Sequence, residues 1–209
     1  LLAAGMFISL AEETGLVVDV GRWVLGQATA QAAAWVREGH DIIVRVNLSA
    51  RQLRTAVVGE VQQALAAANL APERLCLELT ETAIMDDVQE SARILQEFRD
   101  LGVLVAIDDF GTGFSSLAYL KRFPVDILKI DRTFVDGVGV DPDDTAIVRS
   151  VIGLARTLRL EVVAEGIEDP TQIAELVRLG CSRGQGFHLA RPAPADDVAM
   201  LLAGNTTAG

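Results

Sequence analysis

The stretch that decides the fold is VLVAIDDFGTGFSSLAYLKRFPVDILKID, residues 103–131. An apolar run closes on Asp108 and Asp109, a glycine-bearing segment leads into SSLAYLKRF, and a second apolar run carries Lys129 and closes on Asp131. A strand, a helix-like connection and another strand make a crossover unit, and a crossover joins parallel strands. Parallel strands are covered on both faces, which is why these runs are continuously apolar instead of alternating.

The same pattern repeats outward in both directions. Apolar spacing of three and four predicts a helix over roughly 18–38 before the strand DIIVRVNLS. Helices over about 52–69 and 87–100 precede RLCLEL and VLVAID, TAIVRSVIGLARTL precedes LEVVAE, and TQIAELVRLG precedes CSRGQGF, with a last helix over about 195–203. Regular alternation places the chain in the α/β class, as a TIM-type barrel with a doubly wound open sheet as the alternative. No linker divides the 209 residues, so one domain is expected.

Composition narrows the function. A net charge of −11 disfavours binding to a nucleic-acid polymer, which needs Lys and Arg to neutralise phosphates. No apolar run reaches the roughly 18 residues of a membrane-spanning helix, and no signal peptide opens the chain, so a cytoplasmic domain is expected. Cys76 and Cys181 are far apart among apolar neighbours and are read as buried thiols.

Polar residues recur where the strands end: Asn47, Glu78, Asp108, Asp109, Lys129, Asp131, Glu165 and Gln185. Burying such groups without partners costs several kcal/mol. In a parallel barrel the C-terminal strand ends share one rim, where active sites lie, whereas an open sheet would string them along a line. Alternation puts Cys76 and Glu78 on one face of their strand with Leu75, Leu77 and Leu79 on the other; Ile127, Lys129 and Asp131 likewise oppose Leu128 and Ile130. Asn47, Glu78 and Asp108 offer hard oxygen ligands suited to Mg²⁺ or Mn²⁺. Individually, these acids could equally cap the helices that follow or pair with arginines. Lys129, one of two lysines beside sixteen arginines, reads as a charge held among carboxylates and phosphate oxygens. Arg45 shares a face with Asn47, where a barrel interior ordinarily takes a small residue.

The succession VNLSARQL, LELTETAIM, AIDDFGTGFSSLAYLKRFPVDILKIDRTFV, VVAEGIED and GQGFHLARP resembles the EAL-domain cyclic-di-GMP phosphodiesterases of bacteria. The resemblance implies a modified (β/α)8-like barrel that hydrolyses cyclic di-GMP to 5′-pGpG with two divalent ions, Mg²⁺ or Mn²⁺. It implies Asn47, Glu78, Asp108 and Asp109 as metal ligands and Lys129 and Glu165 as catalytic residues. Gln185, Glu168, Asp131 and Arg51 would bind substrate or support the site, and Glu81, Gly111 and Gly113 would stabilise the loop after Asp109. The Glu-Ala-Leu tripeptide on the family's first strand has no counterpart here. The implied domain therefore covers 1–209 without its first strand, whose metal-binding glutamate falls to upstream residues of the parent protein. The family also implies a homodimer, through the helices near 114–121 and 143–158, and allows an upstream sensory or GGDEF-type domain or membrane anchor in that parent. The alternative is an inactive receptor for cyclic di-GMP or a regulatory interaction domain.

Overall fold

A computed structural model describes residues 6–54, 56–111 and 120–205. Six parallel strands form one sheet: β1 (Val44–Asn47), β2 (Leu75–Thr80), β3 (Leu104–Phe110), β4 (Ile127–Ile130), β5 (Glu161–Ala164) and β6 (Arg183–Gly184). Among the described residues the helices are α1 (Ile8–Thr14), α2 (Val17–Arg37), α3 (Ala56–Ala68), α4 (Glu81–Met85), α5 (Val88–Leu101), α6 (Arg132–Asp136), α7 (Pro142–Leu158), α8 (Pro170–Leu179) and α9 (Ala195–Asn205). The strands lie side by side in chain order, each hydrogen-bonded to the next. A doubly wound sheet reverses its strand order at a switch point; this one does not, so it is the wall of a TIM-like barrel. Among the described residues, the outer edges of β1 and β6 pair with no strand.

The long expected helices form close to their predicted bounds, while α1, α4 and α6 are short additions that periodicity alone does not reveal. Segment 112–119, which includes Gly113 and most of the helix expected near 114–121, lies outside the described residues. Local chemistry sets the helix starts. Asp87, Asp141 and Asp169 each accept backbone N–H bonds at the N-termini of α5, α7 and α8, and Gln172 completes a capping box with Asp169.

The two faces of the sheet are chemically different. Leu75, Leu77, Leu79, Val105, Ile107, Leu128 and Ile130 face the helices in one continuous core, which includes Ile94, Leu95 and Phe98 of α5. Cys76, Ala106, Ile127 and Val163 form a separate, smaller cluster that lines the concave side. This is the alternation expected from the sequence for β2 and β4, with Cys76 and Ile127 on the side opposite the leucines. Both cysteines are free and buried, and burial pushes the Cys76 thiol up to about 12. Trp23 stands 66 % exposed. No helix among the described residues is long and apolar enough to cross a membrane.

The α5 contacts carry a direct test of this core. Phe98 is fully buried, so Phe98→Ala is expected to destabilise the fold by about 3–5 kcal/mol through lost burial and a residual cavity. Chemical denaturation should show a lower midpoint with an unchanged slope; an unchanged midpoint would remove Phe98 from the supports of the sheet.

Candidate active site

Lys129 projects from the middle of β4 to the concave face and is only 2 % exposed. Its ammonium meets three carboxylates from three other places in the sheet. Nζ lies 2.7 Å from Glu78 Oε2 on β2 and 3.0 Å from Asp108 Oδ2 on β3, and it also contacts Glu165 Oε1 at the end of β5. Burial alone would lower the lysine's pKa, but hydrogen bonds with Glu165 and Glu78 raise it above its ordinary value, so the ammonium stays charged. Glu165 is pushed up to about 7, first by burial and also by the charges of Asp108 and Glu78, against the pull of Lys129. Gln185 just beyond β6 donates from Nε2 to Glu165 Oε1 at 2.7 Å, the same oxygen that Lys129 contacts.

Asp108 and Asp109 converge through the backbone near the end of β3. The turn begins at Asp109 itself, whose φ of 54° is left-handed. The pairing register of β3 with β4 shifts between Ile107 and Phe110, a bulge that breaks the strict alternation of side chains. Asp tolerates this backbone region better than most residues. Asp109 N–H then donates to Asp108 Oδ1 at 3.0 Å, and Phe110 returns to pair with Ile130. Gly111 continues the bend at φ 103°, where a Cβ would also come within 3.1 Å of Phe134.

Oxygens of Asp108, Asp109 and Glu165 lie within 4.8 Å of one another, a spacing at which three carboxylates can share a cation. Hard oxygen donors in that number fit a divalent ion such as Mg²⁺ or Mn²⁺. Asp109 rises to about 6, because of burial first, then the neighbouring charge of Asp108 and a hydrogen bond with Asp131. Asp131 is lowered instead: burial opposes this, but hydrogen bonds from Thr133 outweigh it. Asp131 therefore has a structural task as the N-cap of α6, accepting from Thr133 N–H at 2.8 Å.

The remaining expected residues fall at varying distance from this cluster. Asn47 pairs in register with Glu78 at the end of β1, and Arg45 Nη1 reaches Glu78 Oε1 at 3.4 Å, which accounts for a large residue in the interior. Glu81 is buried in the first turn of α4, and its Oε2 has no hydrogen-bond partner among the described residues. Glu168 pairs with Arg132 at 2.8 Å and lines a cleft of about 570 Å³ beside Gln185. Phe187 and Arg191 border the same cleft, with the guanidinium 5.0 Å from the ring centroid. Arg132 and Arg191 are not among the expected site residues, although each lies within a quoted motif. Arg51 is not brought to the cluster: it is exposed and lines a different cleft with Gly15, Gln52 and Glu60. Gly186 closes the site against the strand-end loop, since a Cβ there would strike the backbone of Ile167 at 2.2 Å.

Comparison with known proteins places this geometry. The EAL domain family profile matches residues 1–192. The bifunctional diguanylate cyclase/cyclic di-GMP phosphodiesterase MucR of Pseudomonas aeruginosa is 47 % identical over 205 residues, which cover 97 % of this chain and 30 % of MucR. The cyclic di-GMP phosphodiesterase PdeR of Escherichia coli K12 is 40 % identical over 190 residues, covering 90 % of this chain and 29 % of PdeR. The chain thus spans less than a third of the length of these two relatives. A solved structure of the PaMucR phosphodiesterase in complex with c-di-GMP superposes with a TM-score of 0.91 at 47 % identity, covering 94 % of this chain and 81 % of that one. With a profile match over most of its length and a barrel wall of the same shape, the chain belongs to the EAL domain family.

Proposed function

We propose that this domain hydrolyses cyclic di-GMP to 5′-pGpG in a reaction that depends on divalent metal. The observation that carries this reading is the buried Lys129 ammonium, enclosed by Glu78, Asp108 and Glu165 with Asp109 turned in beside them. Asn47, Glu78, Asp108 and Asp109 would hold two divalent ions, Mg²⁺ or Mn²⁺. Such ions supply Lewis acidity and a more acidic bound water. They would also offset the clash between an acidic rim and an anionic substrate.

The chain's own residues do the positioning. Lys129 stays charged and stabilises negative charge that grows on the phosphoryl oxygens. Glu165, held between Lys129 and Gln185, accepts the proton of the attacking water. The new bond joins the water oxygen to phosphorus; the bond to the 3′ oxygen breaks, and that oxygen leaves as the hydroxyl after gaining a proton. One cut of the ring gives a linear dinucleotide with a free 5′ phosphate. The cleft bordered by Arg132, Glu168, Phe187 and Arg191 opens beside Gln185, and its arginines and aromatic face suit a purine nucleotide. Support also comes from the family and from the named activities of MucR and PdeR.

The proposal extends to the parent protein. A first strand bearing a Glu-Ala-Leu there would lie between the open edges of β1 and β6 and add a carboxylate to the rim. A homodimer, an upstream sensory or GGDEF-type domain and a cytoplasmic site of action belong to the same reading.

Incubation of the purified protein with cyclic di-GMP and Mn²⁺, followed by chromatography, should yield pGpG, and a chelator should abolish it until Mn²⁺ is restored. Nucleotide binding without product from metal-loaded protein would overturn the hydrolase reading in favour of a receptor. Lys129→Met is expected to lower kcat by about 10²–10³, the loss typical of one preorganised charge-stabilising donor. Glu165→Gln should lower it by about 10²–10⁴ with little change in KM, as for a lost general base. Wild-type turnover in either variant would strike that residue from the machinery.

A further inference from the structure

Glu78 is held by two cations, and only one of them sits at the centre of the cluster. Lys129 takes Oε2 at 2.7 Å, and Arg45, one strand away and in register with Cys76, reaches Oε1 at 3.4 Å. Both oxygens are therefore engaged from inside the protein. The carboxylates whose oxygens gather within cation-sharing distance are Asp108, Asp109 and Glu165; Glu78 is not among them. Its carboxylate is drawn instead toward the Arg45–Lys129 pair.

The two contacts are unequal. The Lys129 bond is short and buried, while the Arg45 bond is at the long end of hydrogen-bonding distance, and the Arg45 side chain is 25 % exposed. Arg45 is thus the contact that can yield. A guanidinium cannot shed its proton, so whenever it faces Glu78 it places a full positive charge beside any site of which Glu78 is part. With Arg45 present, two fixed positive charges stand against Glu78, Asp108 and Glu165.

We propose that Arg45 is a tethered cation that competes with divalent metal for Glu78 Oε1 and so sets how tightly the site holds its ions. The proposal rests on the reading of Glu78 as a metal ligand. Arg45 is a positioning residue here: it touches neither substrate nor reacting atoms and acts through Glu78. Loading the site requires the guanidinium to leave Oε1, and the carboxylate then becomes free to turn toward Asp108.

The test is Mn²⁺ binding to the purified protein without nucleotide, followed by the electron paramagnetic resonance signal of free Mn²⁺. Arg45→Met, which keeps the aliphatic stem and removes the charge, should tighten binding by about tenfold, as expected for removing one unit charge from a partly buried cation site. Arg45→Lys should stay near wild type. In a Glu78→Gln background, the gain from Arg45→Met should largely disappear. Unchanged or weaker Mn²⁺ binding in folded Arg45→Met overturns this inference and leaves the proposed hydrolase standing. If neither wild type nor any variant binds Mn²⁺, the metal site itself fails and both readings go with it. Should Arg45→Met not fold by circular dichroism, Arg45→Gln decides by the same criterion.

Discussion

An ammonium buried between strands would be among the most destabilising groups in the molecule were it alone, because desolvating a charge costs several kcal/mol even after relaxation. Lys129 avoids this by collecting Glu78 from β2, Asp108 from β3 and Glu165 from beyond β5 around one nitrogen. The arrangement ties together the middle strands of the wall at the end where the site opens. It also fixes their register, since a slip of one residue would turn Lys129 into the helix layer and leave the carboxylates unpaired. Any partner removed alone leaves a buried charge without compensation, so the four side chains act as one unit.

The bulge at Asp109 turns this ion cluster into a site. Without it, Asp109 would point into the layer where Ile107 meets the helices, and the rim would hold one aspartate in place of two. The left-handed backbone there is a local strain of the kind found where function overrides regularity. Phe110, buried at the re-entry to the ladder, and Gly111 beside Phe134 hold the distorted segment from below. Asp131 links the same region to the start of α6, so a helix cap and the rim share one carboxylate.

Much of this was legible from residue order. The period-two pattern of Leu75 to Leu79 placed Glu78 and Cys76 on the concave side, and polar residues at strand ends pointed to one rim. What escaped depends on backbone geometry or on reach. No sequence pattern distinguishes a turn at Gly111 from one at Asp109, because Asp and Gly both accept left-handed conformations. Arg45 made no sense by position alone, since its length lets it act a strand away on Glu78. Arg51, carried along by its motif, sits on a different surface, while Asp131 takes the capping role that the sequence left open for the strand-end acids. The strand at Arg183–Gly184 is brief because two glycines flank Gln185 and allow the chain to turn against Ile167.

The side-by-side order of the strands has a consequence for how the wall is assembled. Every neighbouring pair in the sheet is made of strands that follow one another in the chain, so no partner has to be found across the length of the chain. Each new unit can dock on a finished neighbour, and loop-closure entropy is met one connection at a time. In chain order Lys129 on β4 follows Glu78 on β2 and Asp108 on β3. Its charge thus meets two carboxylates from earlier units, and the last of the three, Glu165, comes one unit later.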